Sequence, residues 1–170
     1  IFDEALAELQ QALQLDPLAP LLNRHVAEFH RSSGNLEKSM EASRKLLELA
    51  PTWIWGHINT GHVYFALGEY DQAEQWVKRA NEIRTTFMGD RLLVLSSLCR
   101  GRMDQAVEFS KRWASPHSRQ GLPIAGVACL WAGNEAKARE YLESALRIEP
   151  RGHHPFFPTV WHYAIVFGYL

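Results

Sequence analysis

Histidine is the residue type in this chain best suited to metal binding or acid–base catalysis, and the sequence contains eight of them. Two pairs, His25/His30 and His57/His62, are each five residues apart. On a helix this spacing directs the two side chains to different faces, whereas a metal-binding pair is normally four residues apart. The adjacent pair at 153–154 has no cluster of cysteines or carboxylates beside it. We therefore expect structural or solvated histidines, with no metal site and no cofactor.

The familiar catalytic and nucleotide-binding motifs are missing from the sequence. It contains no GxSxG, HExxH, P-loop or dinucleotide fingerprint. Its two cysteines, Cys99 and Cys129, cannot form a disulfide framework, and both lie in apolar, helix-like sequence. We expect both to be small buried thiols in a reducing compartment, the cytoplasm. The sequence thus predicts a protein without enzymatic activity.

Charge and hydropathy also limit the possible partners. The net charge is −1, although residues 1–77 hold 5 Lys/Arg against 11 Asp/Glu and residues 78–119 hold 9 against 4. The basic side chains of the second segment fall on different helix faces, whereas nucleic-acid binding needs one clustered face with stacking aromatics. The longest apolar stretch, 156–170, is interrupted by His162 and is too short to span a bilayer. We expect neither nucleic-acid binding nor membrane insertion.

Four glycines recur at a nearly constant spacing along the chain. Gly34, Gly68, Gly101 and Gly133 are separated by 34, 33 and 32 residues. Each is followed by a run of apolar residues with helical period, and another helical run precedes it. Self-similarity at this period predicts stacked units, each consisting of a helix, a glycine turn and a second helix.

Small residues indicate where the two helices of each unit meet. Seven positions before the turn glycine stand Ala27, Gly61 and Gly126, with Val94 as the exception. A small side chain at a crossing allows antiparallel helices to approach within the usual separation of about 8–10 Å. We therefore expect Gly61 to be buried against the second helix of its unit, at Ala73.

The pattern predicts one repeat domain over residues 1–170. Ten helices are expected at about 2–15, 20–33, 36–49, 54–67, 70–83, 88–100, 103–114, 121–132, 135–148 and 157–170. Half repeats are expected at 1–19 and 153–170, with full repeats at about 20–53, 54–86, 87–118 and 119–152. Because both ends fall near turns and the first residue is Ile, we expect a segment of a larger protein.

The order of large and small residues resembles the tetratricopeptide repeat (TPR) family, most closely in His57-x-x-Thr60-Gly61-x-x-Tyr64 followed by Ala73-x-x-x-Val77-x-x-Ala80. The resemblance implies an all-α, right-handed superhelical solenoid of antiparallel helix pairs. It also implies a concave groove that binds proteins and is lined by the first helix of each repeat. The fourth unit departs from the pattern, since Trp113 stands in place of its last small residue.

Residues three, six, ten and thirteen positions before each turn glycine should face this groove. These positions, with Trp131 beside them and Trp161 added from the final half repeat, predict a partner-binding surface formed by Arg24, Arg31, Trp55, Ile58, His62, Phe65, Arg91, Leu95, Leu98, Trp131 and Trp161. Trp55, Phe65 and Leu95 are expected to be partly exposed and to contribute most of the affinity. The alternative is that some of the apolar side chains pack between neighbouring repeats.

One known mode of binding is disfavoured by the residues present. Some members of the family hold the acidic C-terminal tail of chaperones in a basic carboxylate clamp. Arg24 and Asn59 occupy clamp-like positions, but Glu28 stands where the clamp has a neutral Asn and would repel a carboxylate. We therefore do not expect chaperone-tail binding.

The sequence predicts a scaffold that binds a peptide or helix of a partner protein in its groove. The stretch LDPLAPLLNRHVAEF resembles repeat regions attached to some bacterial transcription regulators, cyclases and kinases, which favours a larger bacterial-type regulatory or assembly protein. Two alternatives remain open. One is self-association into a homo-oligomer through the solenoid ends, and the other is recruitment of substrate for a larger enzyme.

Overall fold

The computed structural model describes residues 2–148, and all regular structure within that range is α-helical. The helices are α1 (Phe2–Leu15), α2 (Pro20–Ser32), α3 (Leu36–Leu49), α4 (Ile54–Ala66), α5 (Tyr70–Ile83), α6 (Phe87–Cys99), α7 (Met103–Lys111), α8 (Gly121–Trp131) and α9 (Glu135–Ile148). The helix expected at 157–170 lies outside the described residues. The chain divides into two compact units, Ile1–Leu92 (unit 1) and Leu93–Leu170 (unit 2).

The four turn glycines are the residues that end the first helix of each repeat. Their φ angles are +79°, +79°, +70° and +77°, in the left-handed region that side chains with a Cβ rarely adopt. At the first of them, Gly34 donates its N–H to the carbonyl of Arg31 at 3.1 Å, and Asn35 donates to the carbonyl of His30 at 2.8 Å. This hydrogen-bond pair is the Schellman arrangement, which satisfies carbonyls that the end of a helix leaves without partners.

Asparagine side chains begin the second helix of two repeats. The Oδ1 atom of Asn35 accepts the backbone N–H of Lys38 at 3.1 Å, and that of Asn134 accepts the N–H of Lys137 at the same distance. Such caps satisfy one of the free N–H groups of the first helical turn. The second helix of one repeat in unit 1 and of one repeat in unit 2 therefore begins with the same side-chain cap.

Gly61 lies at the helix crossing expected from the sequence. A Cβ atom added there would be 3.3 Å from the carbonyl oxygen of Ala73, 3.3 Å from Val77 and 3.2 Å from Leu92. Both Gly61 and Ala73 are buried, so the predicted contact between α4 and α5 is confirmed. In unit 2, a Cβ atom on Gly126 would be only 2.5 Å from Leu142 of α9.

Helix α7 is shorter than expected, since it ends at Lys111 and not near residue 114. After it, Trp113 donates to Ser110 and Ala114 donates to Lys111 over a separation of three residues, which tightens the chain into a turn. A side chain at Gly121 would overlap the carbonyl group of Trp113. The unit that departs from the repeat pattern in sequence is therefore also the one with a different local geometry.

The two cysteines differ in exposure. Cys129 is buried as expected, and burial raises the pKa of its thiol. Cys99 is exposed, so the expectation that both thiols are buried was wrong. Cys99 is the last residue of α6 and stands just before the turn at Gly101.

Candidate functional site

Arg24 and Trp55 join the first helices of two repeats in unit 1. The guanidinium carbon of Arg24 lies 3.8 Å from the centroid of the Trp55 ring, within range of a cation–π contact. Arg24 also forms an ion pair with Glu28 at 2.9 Å. Both side chains are partly exposed, but the charge of Arg24 is already balanced within the chain.

Three residues have the partial exposure expected of them. Trp55, Phe65 and Leu95 are each half-buried. Trp55 packs at the edge of a buried cluster that includes Ile54, and the Phe65 ring lies 5.4 Å from that of Tyr70. The structure thus agrees with the exposure expected for these residues, while their role in binding stays a prediction.

Three other residues assigned to the groove surface are buried. Ile58, His62 and Leu98 retain 2%, 8% and 5% of their accessible surface, so their assignment as exposed residues was wrong. Ile58 belongs to the buried cluster with Ile54 and Ala80. A helix with neighbours on several sides buries more than the roughly 100° stripe typical of a surface helix, and this leaves a narrower exposed face.

Asn59 connects helices instead of facing a partner. Its side-chain N–H₂ group donates to Ser43 at 2.6 Å, and its Oδ1 atom accepts from Nε of Arg31 at 3.4 Å. In the same layer, Ser39 donates to the carbonyl of Ala27 at 2.7 Å. These polar residues link α2, α3 and α4. The sequence analysis missed the two serines, although their spacing of four residues on the packing face of α3 was the available signal.

His62 lies within the electrostatic reach of two arginines, Arg31 of α2 and Arg91 of α6. Burial, followed by the positive charges of Arg31 and Arg91, lowers the pKa of His62 to about 3. Its Nε2 atom and the Nε atom of Arg91 are buried and have no hydrogen-bond partner among residues 2–148. Arg31, His62 and Arg91 all belong to unit 1.

Metal binding and membrane insertion have no support in the described part of the chain. Within it, no three His, Cys, Asp or Glu residues are grouped closely enough to hold a metal ion. His57 is used structurally, with Nε2 lying 2.8 Å from the carbonyl oxygen of Pro51. None of the described helices combines the length and hydropathy needed to cross a bilayer.

The remaining groove residues belong to unit 2 or lie outside the described range. Trp131, at the end of α8, is 58% exposed, the largest exposure of the predicted groove residues that the structure describes. Trp161 lies outside the described residues, together with the final predicted half repeat. The largest described share of the predicted groove therefore belongs to unit 1.

Comparison with models of protein families identifies repeats in the first half of the chain. Two models described as "Tetratricopeptide repeat" match residues 2–52 and 57–87. Residues 2–52 and 57–87 are therefore tetratricopeptide repeats. TPR proteins are in general non-catalytic scaffolds for protein–protein interactions, and the all-α helical-repeat solenoid fold expected from the sequence is confirmed. A search of curated proteins found no match.

Solved structures of TPR proteins resemble this chain in fold. A thermophilic TPR protein of Thermus thermophilus superposes with a TM-score of 0.84 at 20% identity, covering 98% of this chain and 90% of its own. PilW, described as a widely conserved type IV pilus biogenesis factor, superposes with a TM-score of 0.76 at 19% identity. The match covers 98% of this chain and 79% of PilW. The pilF protein of Pseudomonas aeruginosa superposes with a TM-score of 0.72 at 16% identity, and the match covers 99% of this chain and 83% of pilF. At these identities the likeness establishes the fold alone.

Proposed function

We propose that this TPR chain is a scaffold that binds a peptide or helix of a partner protein along the first helices of unit 1. The observation that carries the proposal is the presence on α4 of two half-exposed aromatic rings, Trp55 and Phe65, with the partly exposed Arg31 and Arg91 on the neighbouring first helices. Half-exposed aromatic rings beside charged groups are the composition typical of protein-binding surfaces.

We also propose that the chain acts within a larger bacterial-type regulatory or assembly protein. The pilus biogenesis factor among the fold relatives gives this proposal some support, because TPR folds of similar size serve in an assembly process there. A cytoplasmic location is the one that suits a free, exposed thiol such as Cys99, which a reducing compartment would keep reduced.

Truncation of the two aromatic residues tests the binding surface. A peptide ligand is first selected with wild-type protein from a displayed library of random peptides. We expect Trp55→Ala and Phe65→Ala each to weaken its binding by about 2 kcal/mol, roughly 30-fold, because aromatic anchors dominate such interfaces. Isothermal titration calorimetry measures the affinity, and thermal unfolding measures the stability of each variant.

Trp76→Ala is the matched control for these variants. Trp76 is also half-buried, but it lies on the second helix α5, where it contacts His57 and Arg79. Its truncation should leave peptide affinity unchanged. If Trp55→Ala and Phe65→Ala unfold the protein while their remaining folded fraction binds normally, both residues are core and the proposed surface is wrong.

Self-association is a second candidate, favoured by a separate observation. Leu15, Leu18 and Leu21, around the turn between α1 and α2, are 90%, 67% and 52% exposed. Large aliphatic side chains exposed so close together are typical of association surfaces. Sedimentation velocity of the wild-type chain and of Leu18→Glu decides the question: a wild-type dimer that the variant loses supports self-association, and a wild-type monomer at high concentration excludes it.

A further inference from the structure

We propose that a second copy of this chain docks on helix α3, so that the α3 helices of the two copies lie antiparallel about a two-fold axis. The docking face consists of four exposed charged side chains, and we call it the α3 face: Lys38, Glu41, Lys45 and Glu48. The inference goes beyond the proposed function, because α3 is the second helix of its repeat, whereas Trp55 and Phe65 lie on the first helix α4.

An open depression of about 510 Å³ lies beside the α3 face and is lined by residues of α1, α2 and α3. Helix α2 packs against both α1 and α3. Each of the three helices contributes one partly exposed apolar side chain to the lining: Leu13, Val26 and Ala42. The four residues of the α3 face line the same depression. A helix of a second copy lying alongside α3 would cover the depression and remove this apolar surface from water.

The charges of the α3 face are not used within the described part of the chain. They follow each other at spacings of three, four and three residues, which brings opposite charges within reach on the same helix. Elsewhere such neighbours do pair, as Lys137 and Glu140 of α9 do at 2.7 Å. Among residues 2–148, however, no residue forms an ion pair with any member of the α3 face. All four charges are therefore available to a partner.

The order of the charges along α3 is complementary to itself when it is reversed. The face reads Lys, Glu, Lys, Glu in one direction and Glu, Lys, Glu, Lys in the other, with the same spacings. In an antiparallel pair, Lys38 therefore lies opposite Glu48 of the second copy, and Glu41 lies opposite Lys45 of the second copy. The two-fold axis repeats both contacts. A parallel pair in register would instead bring like charges together.

The spacing and size of the residues also suit a neighbouring helix. Spacings of three and four residues are those of the side chains that face the partner helix in a coiled coil. Ala42, beside Glu41 on this face, is small enough to allow the usual separation of about 8–10 Å between helix axes. Exposed ion pairs contribute little free energy each, so they determine orientation and register, while burial of the apolar lining supplies the affinity. We therefore expect a weak homodimer.

Charge reversal tests the pairing in the full chain. Glu41→Lys and Lys45→Glu each make both copies of the contact between residues 41 and 45 repulsive, so each variant should dimerise at least about tenfold more weakly than wild type. An equimolar mixture of the two variants should form a heterodimer as stable as the wild-type homodimer, because each contact again joins opposite charges. The double variant Glu41→Lys/Lys45→Glu should restore the homodimer for the same reason. Sedimentation equilibrium between about 10 and 500 µM protein measures these affinities.

Glu82→Lys is the matched control. It makes the same change of charge at an exposed residue of α5 that does not line the depression, and it should leave dimerisation unchanged. Thermal unfolding verifies that each variant is folded. Unmodified wild type provides a further test, because screening in about 1 M NaCl should weaken its dimer.

Several outcomes would overturn the α3 pairing. These are a wild-type chain that stays monomeric over the whole range, a dimer unaffected by either charge reversal or by salt, and a mixture of the two variants that does not associate. A dimer that Leu18→Glu abolishes and Glu41→Lys preserves would place the interface at the exposed leucines of the α1–α2 turn, which do not line the depression. Each of these results leaves peptide binding through Trp55 and Phe65 untouched, so the two proposals fail separately.

Discussion

Replacement of Gly61 by leucine is expected to lower the free energy of unfolding of unit 1 by about 3 kcal/mol, at the upper end of the usual cost of overpacking. Even a single Cβ atom would lie 3.3 Å from the carbonyl oxygen of Ala73, which belongs to the backbone of α5 and cannot rotate away. Three further carbons would have to enter the same space, beside Val77 and Leu92. Urea unfolding followed by circular dichroism measures the change.

Gly61→Ala is the matched control for the leucine variant. The added methyl group needs a shift of only a few tenths of an ångström, and alanine favours a helix over glycine by about 1 kcal/mol. Ala27 occupies the equivalent position in the preceding repeat, where it is fully buried. We expect the alanine variant to stay within about 1 kcal/mol of wild type. A leucine variant as stable as the alanine variant would show that α4 and α5 do not cross at this position.

Acidification is expected to destabilise the protein through His62. The pKa of a histidine in the unfolded chain is about 6.5, whereas burial and the two arginine charges lower that of the folded His62 to about 3. Above pH 6.5 the residue is neutral in both states. Below it, only the unfolded chain binds the proton, so the stability supplied by neutral His62 is lost as the pH falls toward 3.

The effect is measured by comparing wild type with His62→Gln between pH 6.5 and 4.5. Relative to the variant, wild type should lose roughly 2–3 kcal/mol over this interval, since one pKa unit corresponds to about 1.4 kcal/mol. His117→Gln removes an exposed histidine from unit 2 and is the control for the loss of an imidazole. Parallel stability curves for wild type and His62→Gln would mean that the folded protein protonates His62 as readily as the unfolded chain does, which contradicts a lowered pKa.

Helix positions followed from the sequence because local chemistry determines where these helices begin and end. Helices α1, α3, α5 and α9 have the predicted bounds, and the others apart from α7 differ from prediction by a single residue at one or both ends. Glycine at positive φ after each first helix and the asparagine caps act within a few residues of themselves. The larger error, at the end of α7, arose where Trp113 replaces the usual small residue.

The candidate site could be predicted only in part from the sequence, because burial and electrostatics depend on residues that are far apart along the chain. The spacing of Trp55 and Phe65 from the turn glycine correctly predicted that both side chains are partly exposed. The same spacing could not show that Ile58 is buried in a cluster with Ala80 of α5, or that Asn59 donates a hydrogen bond to Ser43 of α3. The low pKa of His62 arises in part from Arg31, which belongs to a different repeat and lies thirty-one positions earlier.

The turn after α7 has a consequence for proteolysis. Residues 112–120 form the longest connection between described helices, and the other connections are short turns in which a protease active site could not hold an extended chain. Arg112 and Arg119 within it are exposed and are cleavage points for trypsin. Within residues 2–148, native cleavage would begin here and leave α8 and α9 on one fragment, whereas cuts elsewhere in this range would have to wait until a repeat opened.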